Sequence, residues 1–138
     1  MTELLDAASA LALARTFAGN WVGTGLAHGR PVTARLEVRV TLGGSFVELR
    51  EWMDGYEDLS LYRQDPETRE LRVLHVQEGG VIDDHPVEAA GRGLAWITGP
   101  RAPHVEWSLV EEGLRCAVTF PGFVAPEIEI VYTRAAAG

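Results

Sequence analysis

The chain has 138 residues, 46% hydrophobic and 23% charged, which suits one domain with one core and excludes a disordered protein. Its net charge of -8, carried against 12 cations that are all Arg, opposes phosphate backbones and anionic lipid, so neither nucleic acid nor a membrane is an expected partner. The lone Cys116 excludes an intrachain disulfide, no apolar run approaches the ~18 residues of a membrane span, and the acidic start (Glu3, Asp6) lacks the basic residues of a secretory signal, so a cytoplasmic protein is expected.

A helix is predicted within residues 2–18. Leu4, Leu5, Ala8, Leu11 and Ala12 form its stripe, Thr2 is its expected N-cap and Gly19 its stop. After Gly19 the period changes to two. In "VTARLEVRV", Val32, Ala34, Leu36, Val38 and Val40 share one face, and Thr33, Arg35, Glu37 and Arg39 the other. Turn signals then recur: "GG" at 43–44, "DG" at 54–55, "DPET" at 65–68, "GG" at 79–80, "GRG" at 91–93, "GPRAP" at 99–103, "EEG" at 111–113 and "PGFVAP" at 121–126. About ten short strands joined this way predict an all-β, antiparallel up-and-down barrel over residues 20–134, closed to hide its edges.

The turns set a register. With two-residue hairpins at Gly43–Gly44 and Asp54–Gly55, Val40 faces Val47, Val38 faces Leu49, Leu36 faces Glu51 and Glu51 faces Asp58. A four-residue "DPET" loop then sets Tyr62 against Leu71, Ser60 against Val73 and Asp58 against His75. Three inward layers follow: Val40, Val47, Tyr62, Leu71; then Val38, Leu49, Ser60, Val73; then Leu36, Glu51, Asp58, His75. Glu48, Arg50, Arg63 and Arg72 face out, together with Trp52, Leu59 and Leu61, a candidate homodimer contact.

Further along, Val105, Trp107 and Leu109 alternate with polar residues, as do Leu114, Cys116, Val118 and Phe120. Ile128, Ile130 and Tyr132 continue the pattern. Arg134 is in phase with this inner face, where it needs a Trp face, carbonyl oxygens or a carboxylate as partner.

"FAGNWVGTG" at 17–25, with Gly19 and Trp21, together with Arg134 on the last strand, resembles the calycin superfamily of lipocalins and fatty-acid-binding proteins. That resemblance implies that Trp21 closes one barrel end and that Arg134 packs over it. "LGGSFVELREW", "YEDLSLYRQDPETRELRVLHV" and "GLAWI" are similar to a bacterial lipocalin-like family of unknown function, which implies a small barrel and a small-molecule ligand. The opening motif also resembles nitrobindin-like haem barrels. Those hold iron through a His near the C-terminus, and "EIEIVYTRAAAG" has none.

Glu51, Asp58 and His75 are the candidate polar row. Neighbouring strands are ~4.8 Å apart, so two acids and an imidazole can share one ligand group or pass a proton. Isomerase or cyclase chemistry on this row is the enzyme alternative. One His with two carboxylates, and no second His or Cys at ligand spacing, leaves no metal and no cofactor expected. "DDHP" at 83–86 reads as a polar loop, and Cys116 as an inert packing residue. The leading expectation is a small, mostly apolar ligand inside the barrel, lined by Val38, Leu49, Glu51, Tyr62, Val73, His75, Trp96, Trp107 and Tyr132. A filled core acting through its outer face is the remaining alternative.

Overall fold

In a computed structural model describing residues 3–135, the period-two segments become ten antiparallel strands that close into a barrel. One helix, α1 (Ala7–Arg15), precedes β1 (Gly19–Ala27), β2 (Arg30–Thr41), β3 (Phe46–Met53), β4 (Tyr56–Gln64) and β5 (Leu71–Gln77). Then come β6 (Ile82–Ala90), β7 (Gly93–Trp96), β8 (His104–Val110), β9 (Gly113–Thr119) and β10 (Ile128–Arg134). Each strand pairs with its sequence neighbours, and β1 pairs with β10 as well as β2, so no edge is left open. No helix of the described residues is long and apolar enough to cross a membrane.

The helix is shorter than the 2–18 predicted. Asp6, not Thr2, caps it: the Asp6 carboxylate accepts the Ser9 N–H at 2.7 Å, and Thr2 lies outside the described residues. Leu4 and Leu5 are drawn out of the helix into the sheet, since Leu5 N–H donates to Ala89 O at 2.7 Å and Leu4 bridges Ala90. The buried stripe is therefore Ala10, Leu11 and Ala14, with Ala8 and Ala12 exposed. The helix stops at Thr16, whose hydroxyl donates to Leu13 O, and Gly19 opens β1 instead of ending the helix.

Closure at this end follows the expected logic. The Arg134 guanidinium lies 4.3 Å from the Trp21 ring centroid and donates to Ala18 O at 2.8 Å and Thr16 O at 3.2 Å. Trp21 Nε1 donates to Phe17 O at 2.8 Å. Gly19 has φ +136, and a Cβ there would meet Arg134 Nη1 at 2.6 Å, so the guanidinium occupies the space a side chain would take. On the same strand, a Cβ at Gly25 would fall 1.9 Å from Glu129 O, which is why β10 can approach β1 so closely.

The β2–β3–β4 register is as predicted, with Val38 opposite Leu49, Leu36 opposite Glu51 and Glu51 opposite Asp58. The first turn is a four-residue 42–45 segment rather than a Gly43–Gly44 pair, a symmetric change that preserves the pairing. The "DPET" loop is also longer, running over 65–70. Asp65 Oδ1 accepts from Glu67 N and Thr68 N, and Asp65 N–H donates to Glu70 O, so the strands separate only beyond Gln64 and Leu71. The β4–β5 pairing thus slips by two residues: Tyr62 faces Val73, Ser60 faces His75 and Asp58 faces Gln77. An even slip keeps every side chain on its predicted face. Val40, expected inside, lies at the rim and is 40% exposed. "DDHP" is strand rather than loop, part of β6.

Two halves result. At the end carrying α1, Leu36, Val47, Leu49, Tyr62, Val73, Leu94, Leu114, Ile130 and Tyr132 are almost wholly buried and fill the interior. The other end, ringed by the loops at 28–29, 54–55, 78–81, 97–103 and 120–127, is not filled.

Candidate functional site

Strand direction decides which residues reach the unfilled end. The ends of β3, β5, β7 and β9 and the starts of β4, β6, β8 and β10 meet there around a cavity of about 380 Å³. A cavity of that size equals the liquid volume of about a dozen waters.

Its two walls differ chemically. The wall from β3 to β6 is polar: Glu51, Tyr56, Asp58, Ser60, His75 and Gln77 line it, with Asp83 and His85 beside them. The wall from β7 to β10 and the 97–103 loop is apolar, with Trp96, Trp107, Val105, Val118, Phe120 and Ile128 among its side chains. Alternation on β6 explains Asp83 and His85. They oppose His75 and Val73 and point inward, while Asp84 points out. There Asp84 accepts from Arg63 and Arg72 at 3.0 and 3.1 Å. Burial pushes its carboxyl up, but the two guanidinium groups outweigh it and hold the group below the usual range.

The polar wall is internally bonded. His75 Nε2 lies 3.1 Å from Asp58 Oδ2. Tyr56 donates its hydroxyl to Gln77 Oε1 at 3.1 Å, and Gln77 Nε2 donates to Asp83 Oδ2 at 3.3 Å. From the filled half, the Tyr132 hydroxyl donates to Glu51 Oε2, and Trp96 Nε1 donates to the Tyr62 hydroxyl at 2.8 Å. Trp96 is also the hinge between the walls, with the His75 ring edge-on at 4.9 Å and the His85 ring stacked at 5.8 Å. The Trp107 indole N–H has no hydrogen-bond partner among the described residues, and its ring stacks on Tyr132 at 5.9 Å.

Electrostatics follow from burial without a counter-cation. Burial, and then the charge of Asp58, push the Glu51 carboxyl from 4.5 up to about 8, against the pull of the Tyr132 bond. The same burial and the Asp58 and Glu51 charges push Tyr56 up to about 12. Burial and the Glu51 charge push Tyr132 far above its ordinary value, so it remains a donor. The Cys116 thiol, also on the cavity wall, is pushed up by burial and is held as the unreactive thiol form.

Of the residues predicted to bind, Glu51, His75, Trp96 and Trp107 line the cavity, as does the catalytic candidate Asp58. Val38, Leu49, Tyr62, Val73 and Tyr132 do not. They belong to layers nearer α1 and are packed solid, and Tyr62 and Tyr132 reach the site only through their hydroxyl bonds to Trp96 and Glu51. Met53, Tyr56, Gln77, Asp83 and His85 also line the cavity and lie outside the expected ligand set. One further row of the same register places Met53 and Tyr56 inward, and the alternation Asp83, His85, Val87, Ala89 marks the inner face of β6.

The last histidine in the chain, His104, opens β8 and is not on the cavity wall, so a C-terminal histidine reaching haem iron has no counterpart here. Among the described residues no group of three or more His, Cys, Asp or Glu side chains is arranged to hold a metal ion. On the outer face, Arg35 lies 4.2 Å over the Trp52 ring, and Leu59 and Leu61 are half-buried. In comparisons with known proteins, no family model matches the chain and no curated protein matches it.

Proposed function

We propose that this barrel is a lipocalin-like binding protein that takes a small, mostly apolar molecule into its unfilled end. The observation that carries the reading is the cavity of about 380 Å³ with one apolar and one polar wall. Apolar side chains supply most of the affinity of such a site, and a few placed polar groups fix the orientation. The packed half behind it gives the site a rigid floor. Native mass spectrometry of protein purified without denaturant is expected to reveal a discrete adduct. An apolar naphthalene probe is expected to titrate it one-to-one and to be excluded by Val118→Trp, a substitution that fills the cavity. A barrel that binds neither adduct nor probe sinks the proposal.

A second reading, an isomerase or cyclase, is supported by the 3.1 Å His75–Asp58 contact on the cavity wall. A carboxylate that orients an imidazole prepares it to take and return a proton. Its test is proton exchange in D2O, followed by NMR, at carbons adjacent to the carbonyl in a panel of small ketones. Exchange above the buffer rate that is lost in His75→Ala supports catalysis, and exchange at the buffer rate throughout the panel removes it.

A further inference from the structure

We infer that the ligand of this cavity carries a basic nitrogen, an ammonium group on an apolar body, and binds with that nitrogen against Glu51 and Asp58. The inference rests on the binding reading above and assigns its ligand class.

The first argument is a count of hydrogen-bonding groups on the polar wall. Glu51, Asp58 and Asp83 are the carboxyl groups that line the cavity, and each has one oxygen engaged: by Tyr132, His75 and Gln77 respectively. Among the described residues, the second oxygen of each takes no hydrogen bond from protein; at Glu51, which keeps its proton at neutral pH when no cation is bound, it becomes a full acceptor when a bound cation draws the group into its carboxylate form. The donors that might have served them are used elsewhere in the wall, because Tyr56 donates to Gln77 and the Gln77 amide donates to Asp83. In a neutral His75 whose Nε2 donates to Asp58, the other ring nitrogen is one more acceptor. Ser60 and His85 can act either way. The wall therefore has a surplus of acceptors, and a complementary ligand supplies donors. An ammonium group supplies three donors and no acceptor.

The second argument is charge. Among the described residues no Arg lines the cavity and the chain has no Lys, so the groups that could pair with a carboxylate or phosphate head group there reduce to His85 and to His75, which Asp58 already engages. An anion would enter beside three carboxyl groups and pay both desolvation and repulsion. Glu51 and Asp58 lie directly opposite each other on β3 and β4, so their side chains start roughly 5 Å apart and can grip one cation. The upward push on Glu51 from burial and from Asp58 reports the same negative field. A bound cation neutralises that field. The indoles of Trp96 and Trp107, which both line the cavity, give the apolar body, and any cationic edge near them, an aromatic surface.

The test uses the wild-type protein and three probes with one apolar body: 1-naphthylmethylamine, 1-naphthalenemethanol and 1-naphthoate, titrated by calorimetry at pH 7.5. The amine is expected to bind at least about tenfold tighter than the alcohol, and the carboxylate at least about tenfold weaker than it. The double variant Glu51→Gln, Asp58→Asn is expected to bring the amine and the alcohol to within about threefold of each other. Equal affinities for the three probes, or a preference for the carboxylate, overturn the ligand class and leave the binding reading standing. No saturable binding by any of the three overturns both.

Discussion

Tyr132 on β10 donates its hydroxyl to Glu51 on β3, two strands that are separated around the barrel by β1 and β2. The bond crosses from the packed half of the interior to the cavity floor. It stabilises Glu51 as an ion, yet burial and the Asp58 charge outweigh it and raise the carboxyl to about 8.

That imbalance makes stability depend on pH with a defined sign. At neutral pH the folded protein keeps the Glu51 proton, whereas an unfolded chain, titrating near 4.5, has lost it. The unfolded state binds fewer protons, so the Glu51 contribution is fully present below 4.5 and is lost as pH rises through about 8. Glu51→Gln keeps the acceptor for Tyr132 and cannot ionise. The stability difference between variant and wild type is expected to grow in the variant's favour between pH 5 and pH 9. It reaches at most about 5 kcal/mol, less to the extent that water in the cavity solvates the carboxylate. Urea denaturation of both proteins at pH 5, 7 and 9 measures it. Parallel curves would mean that Glu51 titrates like an exposed acid.

The Trp96–Tyr62 bond gives a second, independent measurement. Tyr62→Phe removes the one acceptor that Trp96 Nε1 has among the described residues, and both residues are buried. Leaving that N–H unpaired is expected to cost about 1–3 kcal/mol with the denaturant slope unchanged. Because Trp96 also holds the His75 and His85 rings, the variant is expected to weaken binding of the naphthalene probe. Unchanged stability and binding would mean that cavity water replaces the tyrosine hydroxyl.

How far these residues were readable beforehand depends on the kind of information each required. Alternation from Val32 to Val40, and the Asp54–Gly55 turn, carry enough to pair Glu51 with Asp58 correctly, because a period of two and a turn length are properties of neighbouring residues. His75 was placed two residues off because the Asp65 side chain organises a six-residue loop, and side-chain capping of that kind does not follow from the "DPET" tetrapeptide. The error did no harm to the face, and a diagonal contact restores the His75–Asp58 pair. Asp83 and His85 are hidden for a different reason: the run of polar residues in "DDHP" resembles a loop and masks the period-two alternation that continues into Val87 and Ala89. The boundary between packed core and cavity was not legible at all. Tyr62 and Trp96 both point inward, and only the three-dimensional distribution of side-chain volume decides that one fills and the other lines.

Close backbone approach at Gly25 predicts a steep local intolerance. Gly25→Ala places a Cβ 1.9 Å from Glu129 O, where only a shift of β10 can relieve the clash. The expected loss is about 3 kcal/mol or more, at or beyond the upper end of ordinary overpacking. Gly99→Ala, with nothing within 4 Å of the new atom, is the matched control and is expected to stay within about 0.5 kcal/mol. Thermal melts of the two variants provide the comparison, and similar melting temperatures would contradict the close β1–β10 approach.

Arg134 tests whether the closed end depends on geometry or on charge. Its guanidinium covers Trp21 and ties down the Thr16 and Ala18 carbonyls, which belong to the segment joining α1 to β1. A lysine keeps the charge but lacks the planar fork, so it cannot cover the ring and bond two carbonyls together. Arg134→Lys is therefore expected to lose about 1–2 kcal/mol, most of what Arg134→Ala loses. The loss is expected to be local as well as global. The Phe17 and Ala18 amides, bonded to Ala14 O and Arg15 O, should exchange with deuterium faster in either variant than the overall stability change accounts for. If lysine restores full stability and protection, charge alone holds the latch. If exchange follows global stability without excess, Arg134 stabilises the barrel as a whole and does not fasten the helix to it.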